Sequence, residues 1–307
     1  MIILGTKYKL KRFEKLKLNI SKDDIYYIED GLNEPNKIIK TIKSKINDLK
    51  HNTIILNMDS KIPSSIIIYL INLQFKRNIL FCTMEYFLEE KLNKCYIPVQ
   101  DDSLDFLYNI TPYSKWQYFQ KRCIDYFGVF WLLFFSWPVM IYAYWKIKEQ
   151  SPGKAIFRQL RIGKHNKHFE CIKFRSMHED TKFFNHYTQD NDPRIFAWGS
   201  VMRKTRLDEL PQIWNIIKGD MHLIGPRAEW SELVEKYEKE IPFYNKRHLV
   251  APGVTGCAQV NYPYGANAED TRQKLMYDLY YIKYWNIWLE LKIVWRTALV
   301  VMGRNGV

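Results

Sequence analysis

The chain has 307 residues, nearly half of them apolar and 16% aromatic, which is enough for two small domains with packed cores and excludes a disordered polymer. A net charge of +13 points to anionic partners such as nucleotides, nucleic acid or an acidic membrane surface, with a Lys-, Asn- and Ile-rich genome bias as the competing source of the excess. Residues 1–110 carry +3 of that charge and the remainder +10, so the anion-seeking part is the C-terminal two thirds.

The opening "MIILGTKYKLKRFEKLKL" turns cationic without a long apolar stretch or a cleavage site, so no signal peptide is expected there. Three β-type runs follow, Ile25–Glu29, Thr53–Asn57 and Asn78–Cys82, with helical spacing between them at Asn36–Leu49 and Ser64–Phe75. That βαβ order predicts a small parallel, Rossmann-like sheet in an α/β domain over residues 1–112. Gly5 stands alone rather than in a G-x-G-x-x-G fingerprint, so dinucleotide binding has no support. Val99–Ser114 reads as the linker to a second domain over 113–307.

Tyr126–Trp145, "YFGVFWLLFFSWPVMIYAYW", contains no charged residue and matches the roughly 20 residues that cross a bilayer core. Lys115, Lys121 and Arg122 precede it; Lys146, Lys148, Lys154 and Arg158 follow. The positive-inside rule would keep both flanks cytoplasmic. Pro138 removes a backbone donor, and Ser136 can offer its hydroxyl to freed carbonyls. These features predict a monotopic, re-entrant helix at about 122–147 that breaks near Ser136–Pro138; a buried soluble helix is the competing reading.

Ser151–Met177 then supplies two strands, "AIFRQLRIG" and "HFECIKFRSM", around a turn at His165–Lys167. Strand alternation sends Lys173 and Arg175 to one face, as a phosphate clamp or as a solvated face. In "TRLDELPQIWN" Pro211 fits the first turn of a helix that ends near Gly219, which puts Asp208 and Glu209 at its N-terminus. Capping would account for such a pair. The surrounding Arg194, Arg203, Lys204, Arg206, Lys218 and Arg227 favour chemistry instead: a nucleophilic aspartate toward phosphorus, a magnesium ligand beside it, and cations to absorb phosphoryl charge. Lys274–Gly303 mixes Tyr and Trp with Lys and Arg, which fits helices at headgroup depth or an aromatic core helix equally well. The five cysteines, Cys82, Cys95, Cys123, Cys171 and Cys257, show no C-x-x-C or metal-like spacing and read as reduced core thiols of a cytoplasmic compartment.

From about residue 115 onward the chain resembles the bacterial sugar transferases, the monotopic phosphoglycosyl transferases. The matching pieces, in order, are "KRCIDYFG", "SPGKAIFRQLRIGK", "KFRSM", "DPRI", "RKTRLDELPQIWNIIKGDMHLIGPR", "APGVTGCAQVNYPYG" and "YDLYYIKYWNIWLELKIVWRT". The resemblance implies an α+β membrane-associated catalytic domain with a re-entrant helix and interfacial amphipathic helices, at the cytoplasmic face of the bacterial inner membrane. It implies transfer of a phospho-sugar from a UDP-sugar to polyprenyl (undecaprenyl) phosphate. The family's Asp-Glu dyad falls on Asp208 and Glu209, with Mg²⁺ held by Glu209 and Asp208, and its phosphate-binding cations on Lys173, Arg175, Arg203 and Arg227. Cys257 stands where the family often has Trp, and Ala228 where it often has Pro. The N-terminal region resembles the soluble βα domain of the family's longer members, which implies a regulatory or homodimer-forming role; the transmembrane helices that usually precede it there are not expected here.

The expected reaction is a double displacement through a covalent aspartyl phospho-sugar that releases UMP. Two alternatives stay open on the residues: a metal-dependent glycosyltransferase that uses Asp190 and Asp192 and releases UDP, and a non-catalytic protein binding anionic membrane lipids. No nucleic-acid motif is present, so nucleic acid is not an expected partner.

Overall fold

Ile2, Ile3 and Leu4 have no exposed surface, as expected of a strand covered on both faces. They form β1 (Ile2–Leu4), the first of four parallel strands in a computed structural model that describes every residue except 29–33, 49–51, 59–61, 99–106, 108, 180–191, 264, 266 and 304–307. Then come α1 (Arg12–Lys17), β2 (Tyr26–Ile28), α2 (Pro35–Lys45), β3 (Thr53–Leu56), α3 (Ser64–Arg77), β4 (Leu80–Thr83) and α4 (Met84–Phe87). The sheet order is β2-β1-β3-β4, all parallel, so the expected α/β sheet is present, with β1, too short to show a period in the sequence, as an additional inner strand. Ile38 and Ile42 of α2 and Ile66 and Leu70 of α3 cover Ile2, Leu4 and Ile54. The Asn57 amide ties the loop after β1 to β3: its Oδ1 accepts from Tyr8 N at 2.9 Å and its Nδ2 donates to the carbonyls of Gly5 and Tyr8.

The described residues divide into two compact units, Met1–Tyr96 and Ile97–Val307, so the division falls upstream of the expected 112/113 boundary. Most of the expected linker lies outside the described residues.

The second unit opens with α5 (Lys115–Gln150), a 36-residue helix capped by Ser114, whose hydroxyl accepts from Gln117 N while the Gln117 side chain accepts from Ser114 N. At 1.5 Å per residue it is roughly 54 Å long, well beyond the ~30 Å of a bilayer core. Among the described residues it is the one helix long and apolar enough to cross a membrane, and only 11% of its apolar window is buried, which removes the soluble core-helix reading. Helical structure continues through Pro138, so the expected break is not an interruption of the helix. Ser136 does not return its hydroxyl to a freed carbonyl as expected; it donates to Met140 Sδ at 3.7 Å.

Two stretches of α5 pack on the same globular body. Near its middle, Val129 and Leu133 join Cys171, Ile213, Ile216 and Met221. Near its end, Met140, Ala143 and Ile147 join Ala155, Phe174, Phe196, Met202, Leu207 and Leu210. Between and around these contacts Phe127, Phe130, Trp131, Phe134, Phe135, Trp137, Ile141 and Trp145 stay exposed.

After α5 the hairpin β5 (Ile156–Ile162) and β6 (His168–Phe174) turns at Lys164–Asn166, as expected. Next come α6 (Ala197–Thr205), a 3₁₀ segment at Leu207–Gln212, α7 (Ile213–Lys218), β7 (His222–Ile224), α8 (Ser231–Glu240), β8 (Gly253–Thr255), α9 (Cys257–Asn261), α10 (Ala268–Lys283) and α11 (Ile287–Val301). β7 and β8 pair in parallel. The Lys274–Gly303 stretch splits between its two readings. α10 is a core helix that buries Leu275, Met276, Tyr277, Leu279, Tyr281 and Ile282. α11 exposes Ile287, Trp288, Leu291, Val294 and Trp295 along one stripe. The two are locked to the start of α5 by Glu290, which is fully buried and accepts Lys121 Nζ at 2.8 Å on each oxygen and Trp285 Nε1 at 2.6 Å, with the Tyr281 hydroxyl on the same carboxylate. All five cysteines are free.

Candidate active site

Asp208 and Glu209 lie in the 3₁₀ segment that leads into α7, a helix that ends at Gly219 in the left-handed conformation (φ 90°). The sequence "LDEL" sets their exposure. Leu207 and Leu210 point into the core against α5, which holds the carboxylates between them in a fixed turn. Asn215, one turn into α7, fastens this segment to β6. Its Oδ1 accepts from Ile172 N at 3.0 Å and its Nδ2 donates to Glu170 O at 2.7 Å, so one side chain serves the β6 edge as a neighbouring strand would. Arg122 of α5 caps α7 by donating to Ile216 O at 2.8 Å and Ile217 O at 3.3 Å.

That fastening brings β6 across from the pair. Lys173 Nζ donates to Glu209 Oε1 at 2.7 Å, and Arg227 NH2 lies 3.7 Å from the same oxygen. Burial by itself would raise the Glu209 carboxyl, but the Lys173 and Arg227 charges and the Lys173 hydrogen bond outweigh it and hold the group down at about 2. Glu209 is therefore ionised throughout the physiological range.

Asp208 has the opposite surroundings. Its Oδ1 is buried without a hydrogen-bond partner. Burial pushes its carboxyl above the usual aspartate value and the Glu209 charge adds to that, while Lys173, Arg203 and Arg206 pull the other way. A desolvated carboxylate oxygen with no donor keeps its lone pairs available, which suits a nucleophile or a metal ligand.

Of the four expected phosphate-binding cations, Lys173 and Arg227 converge on Glu209, and Arg203, at the end of α6, contributes its charge to Asp208 while its NH1 lies 3.4 Å from Ser176 Oγ. Gly199 lets α6 come this close, because a Cβ there would strike the Ser176 carbonyl. Arg175 departs from the expectation. β6 ends at Phe174, and the Arg175 guanidinium turns away to donate to Lys154 O at 2.7 Å, Ser151 Oγ at 2.8 Å and Ser151 O at 2.8 Å. It holds the 151–154 loop and takes no part in the Lys173–Glu209 cluster. Alternation along a strand predicts facing only as far as the strand runs, which is why the pairing of Lys173 with Arg175 failed.

Three residues of the site carry no individual assignment in the sequence, Arg206 being read there only as one of the surrounding cations. Arg161 is buried on β5, where Nε and NH2 donate to Gln159 Oε1 at 3.1 and 2.8 Å and NH1 to the carbonyl of Ala228. Arg206 precedes the pair in the left-handed region (φ 60°). Asn215 is the third. Of the two family departures, Ala228 supplies that carbonyl, and Cys257 is buried at the start of α9.

Asp192 of the alternative metal motif is engaged by Arg194, whose Nε and NH2 donate to its two oxygens at 2.8 and 2.6 Å; Asp190 lies outside the described residues. No group of three or more metal-ligating side chains occurs among the described residues.

The site lies within the region that matches known proteins. The chain is 45% identical over 170 residues to a UDP-N-acetylgalactosamine-undecaprenyl-phosphate N-acetylgalactosaminephosphotransferase of Aeromonas hydrophila, covering 55% of this chain and 40% of that protein. It is 41% identical over 173 residues to a UDP-glucose:undecaprenyl-phosphate glucose-1-phosphate transferase of Xanthomonas campestris pv. campestris, covering 55% of this chain and 36% of that one. A protein of the same description from Caulobacter vibrioides is 38% identical over 183 residues, covering 58% of this chain and 68% of the relative. The chain thus spans well under half the length of the first two relatives. The sequence pattern of the family described as bacterial sugar transferase matches residues 116–304, which contain every residue of the site, and the chain belongs to that family.

Proposed function

We propose that the protein is a phosphoglycosyl transferase that moves a sugar 1-phosphate from a UDP-sugar to undecaprenyl phosphate by double displacement, as a membrane step of glycoconjugate synthesis. The observation that carries the reading is the contrast within the pair: a buried Asp208 oxygen without a donor beside a Glu209 fixed by two cations. The names of the relatives supply the substrate class.

In the first step an Asp208 oxygen attacks the sugar-bearing phosphorus. The bond from that phosphorus to the bridging oxygen breaks, UMP leaves, and an aspartyl phospho-sugar forms. In the second step a phosphate oxygen of undecaprenyl phosphate attacks the same phosphorus. The aspartyl P–O bond breaks, Asp208 departs as a carboxylate, and undecaprenyl diphosphate-sugar is released. Arg203 and Arg227 face the phosphoryl oxygens as charge builds on them, and Lys173 holds Glu209 in place. The residues fit magnesium: Asp208 Oδ1 is orphaned, and no described residue donates to Glu209 Oε2. Bound there by Glu209 and Asp208, magnesium would supply charge neutralisation on the diphosphate.

The reading includes a monotopic placement. Both halves of α5 pack on one globular body while its aromatic face stays exposed, which favours a helix that enters and leaves on the cytoplasmic side. The exposed apolar stripe of α11 suits an interfacial helix.

The direct test is incubation with UDP-sugars labelled in the sugar, in the absence of acceptor. Hydroxylamine-labile label on the protein with stoichiometric UMP is expected. UDP as the released nucleotide would refute the reading.

A further inference from the structure

A cavity of about 160 Å³ lies beside the catalytic pair, lined by Leu132 of α5, by Arg206, Glu209, Leu210, Ile213 and Ile216, and by Leu223 and Val254. Its walls are aliphatic apart from two groups, the Arg206 side chain and Glu209. It joins two surfaces of different kinds. Leu132 is 38% exposed and sits among Phe130, Trp131, Phe134 and Phe135 on the apolar face of α5. Glu209 belongs to the reacting centre.

Arg206, exposed like Lys204 beside it, differs from the cations already engaged within the site. Lys173 and Arg227 are paired with Glu209, and Arg161 and Arg175 are taken up by carbonyls. The Arg206 guanidinium makes no hydrogen bond or ion pair with a described residue, although its charge reaches both Asp208 and Glu209. Its backbone holds φ at 60°, a conformation that is unfavourable for a non-glycine residue. An unpaired cation kept in a strained turn at the mouth of an aliphatic cavity matches an amphiphile with an anionic head and a hydrocarbon tail.

Resting on the double-displacement reading, we infer that this cavity seats the first isoprene unit of the acceptor lipid, with its phosphate on Arg206. At roughly 30 Å³ per water-sized group, the volume suits about one five-carbon unit. The lipid enters from the exposed side at Leu132, and its phosphate arrives at Arg206, two residues from Asp208. Donor and acceptor phosphates then have separate cation sets, Arg203 and Arg227 for the donor and Arg206 for the acceptor.

The test uses the full chain with the UDP-sugar found active, varying undecaprenyl phosphate and donor separately. Leu132→Trp fills the cavity from its exposed side, and Arg206→Asn removes the charge with a residue that tolerates the left-handed conformation. Each is expected to raise KM for undecaprenyl phosphate about tenfold, the scale of one lost charge-assisted hydrogen bond or a blocked subsite, with KM for the donor moved less than about twofold. Arg206→Lys is expected to recover most of the acceptor affinity. Unchanged acceptor KM in both variants, or a rise in donor KM instead, overturns the assignment. Direct binding of radiolabelled undecaprenyl phosphate to the same proteins reads the cavity without turnover. Loss of binding with no aspartyl label on the wild type would keep the cavity and discard the double displacement.

Discussion

Asp208 and Glu209 are consecutive residues with opposite environments: Glu209 receives Lys173 at 2.7 Å, and the Oδ1 of Asp208 receives nothing. The contrast assigns different roles to two carboxylates that a sequence shows as equals. A fixed, ionised glutamate organises charge, while an unsatisfied aspartate stores the cost of its own burial, which bonding to phosphorus relieves.

Asp208→Asn is therefore expected to abolish turnover by at least about 10³-fold, as loss of a nucleophile does, without lowering stability. The sign follows from the direction of the shift. A carboxyl whose folded value lies above its unfolded one disfavours the folded state at neutral pH and ceases to do so as pH falls through the folded value. A neutral amide removes that penalty. Thermal melts at pH 7 should give the variant a Tm equal to or above the wild type, and a Tm several degrees lower would contradict the buried, unpaired placement. The acid limb of kcat/KM is expected above the ordinary aspartate range.

Lys173→Met is expected to cost about 3 kcal/mol at pH 7, the lower end for breaking a buried pair, because Arg227 remains 3.7 Å from Glu209. Here the carboxyl is depressed, from 4.5 to about 2. Its stabilisation is complete above the unfolded value and is lost as pH falls toward the folded one. Denaturant titrations should show a constant gap between wild type and variant from pH 8 to 5, and a smaller gap at pH 3.

How far the sequence carried these assignments depends on the range of each signal. The dyad turn was legible because Pro211 and Gly219 are local punctuation, and the β5–β6 hairpin because a short polar turn separates two seven-residue strands. β1 was not, since three apolar residues carry no period. Arg175 was misplaced by one residue of strand. α10 and α11 have one composition, and what separates them is the tertiary contact of Glu290 with Lys121, 169 positions away. Asn215 and Arg206 lie inside the "TRLDELPQIWN" stretch, but their roles are not visible there: the first matters through a strand edge that only the fold supplies, the second through a backbone angle.

Asn215→Leu keeps the volume and removes three polar contacts, to Ile172 N, Glu170 O and Asp220 Oδ2. Leaving buried backbone groups unsatisfied costs roughly 1–3 kcal/mol each, so a total near 3 kcal/mol is expected. Activity should fall further than stability predicts, because the dyad turn loses its registration on β6. Hydrogen exchange at Ile172, slow in the wild type, should become fast while exchange within β3 of the N-terminal unit stays unchanged.

The last prediction concerns Glu290, fully buried and bonded to Lys121, Tyr281 and Trp285. Glu290→Ala leaves the Lys121 ammonium in a dry site, so a loss of about 3–5 kcal/mol is expected. Lys121→Met alone strands the glutamate and should cost a similar amount. The double variant Lys121→Met/Glu290→Met replaces both charges with apolar groups of near volume and should be more stable than either single one, because the penalty of each single variant is mainly the charge it leaves unpaired. Tyr281 and Trp285 keep the double variant below wild type, since their donors lose an acceptor. Equilibrium unfolding of the four proteins measures the coupling directly. Additive losses would mean that the pair is solvated and that α5, α10 and α11 are held together by apolar packing alone.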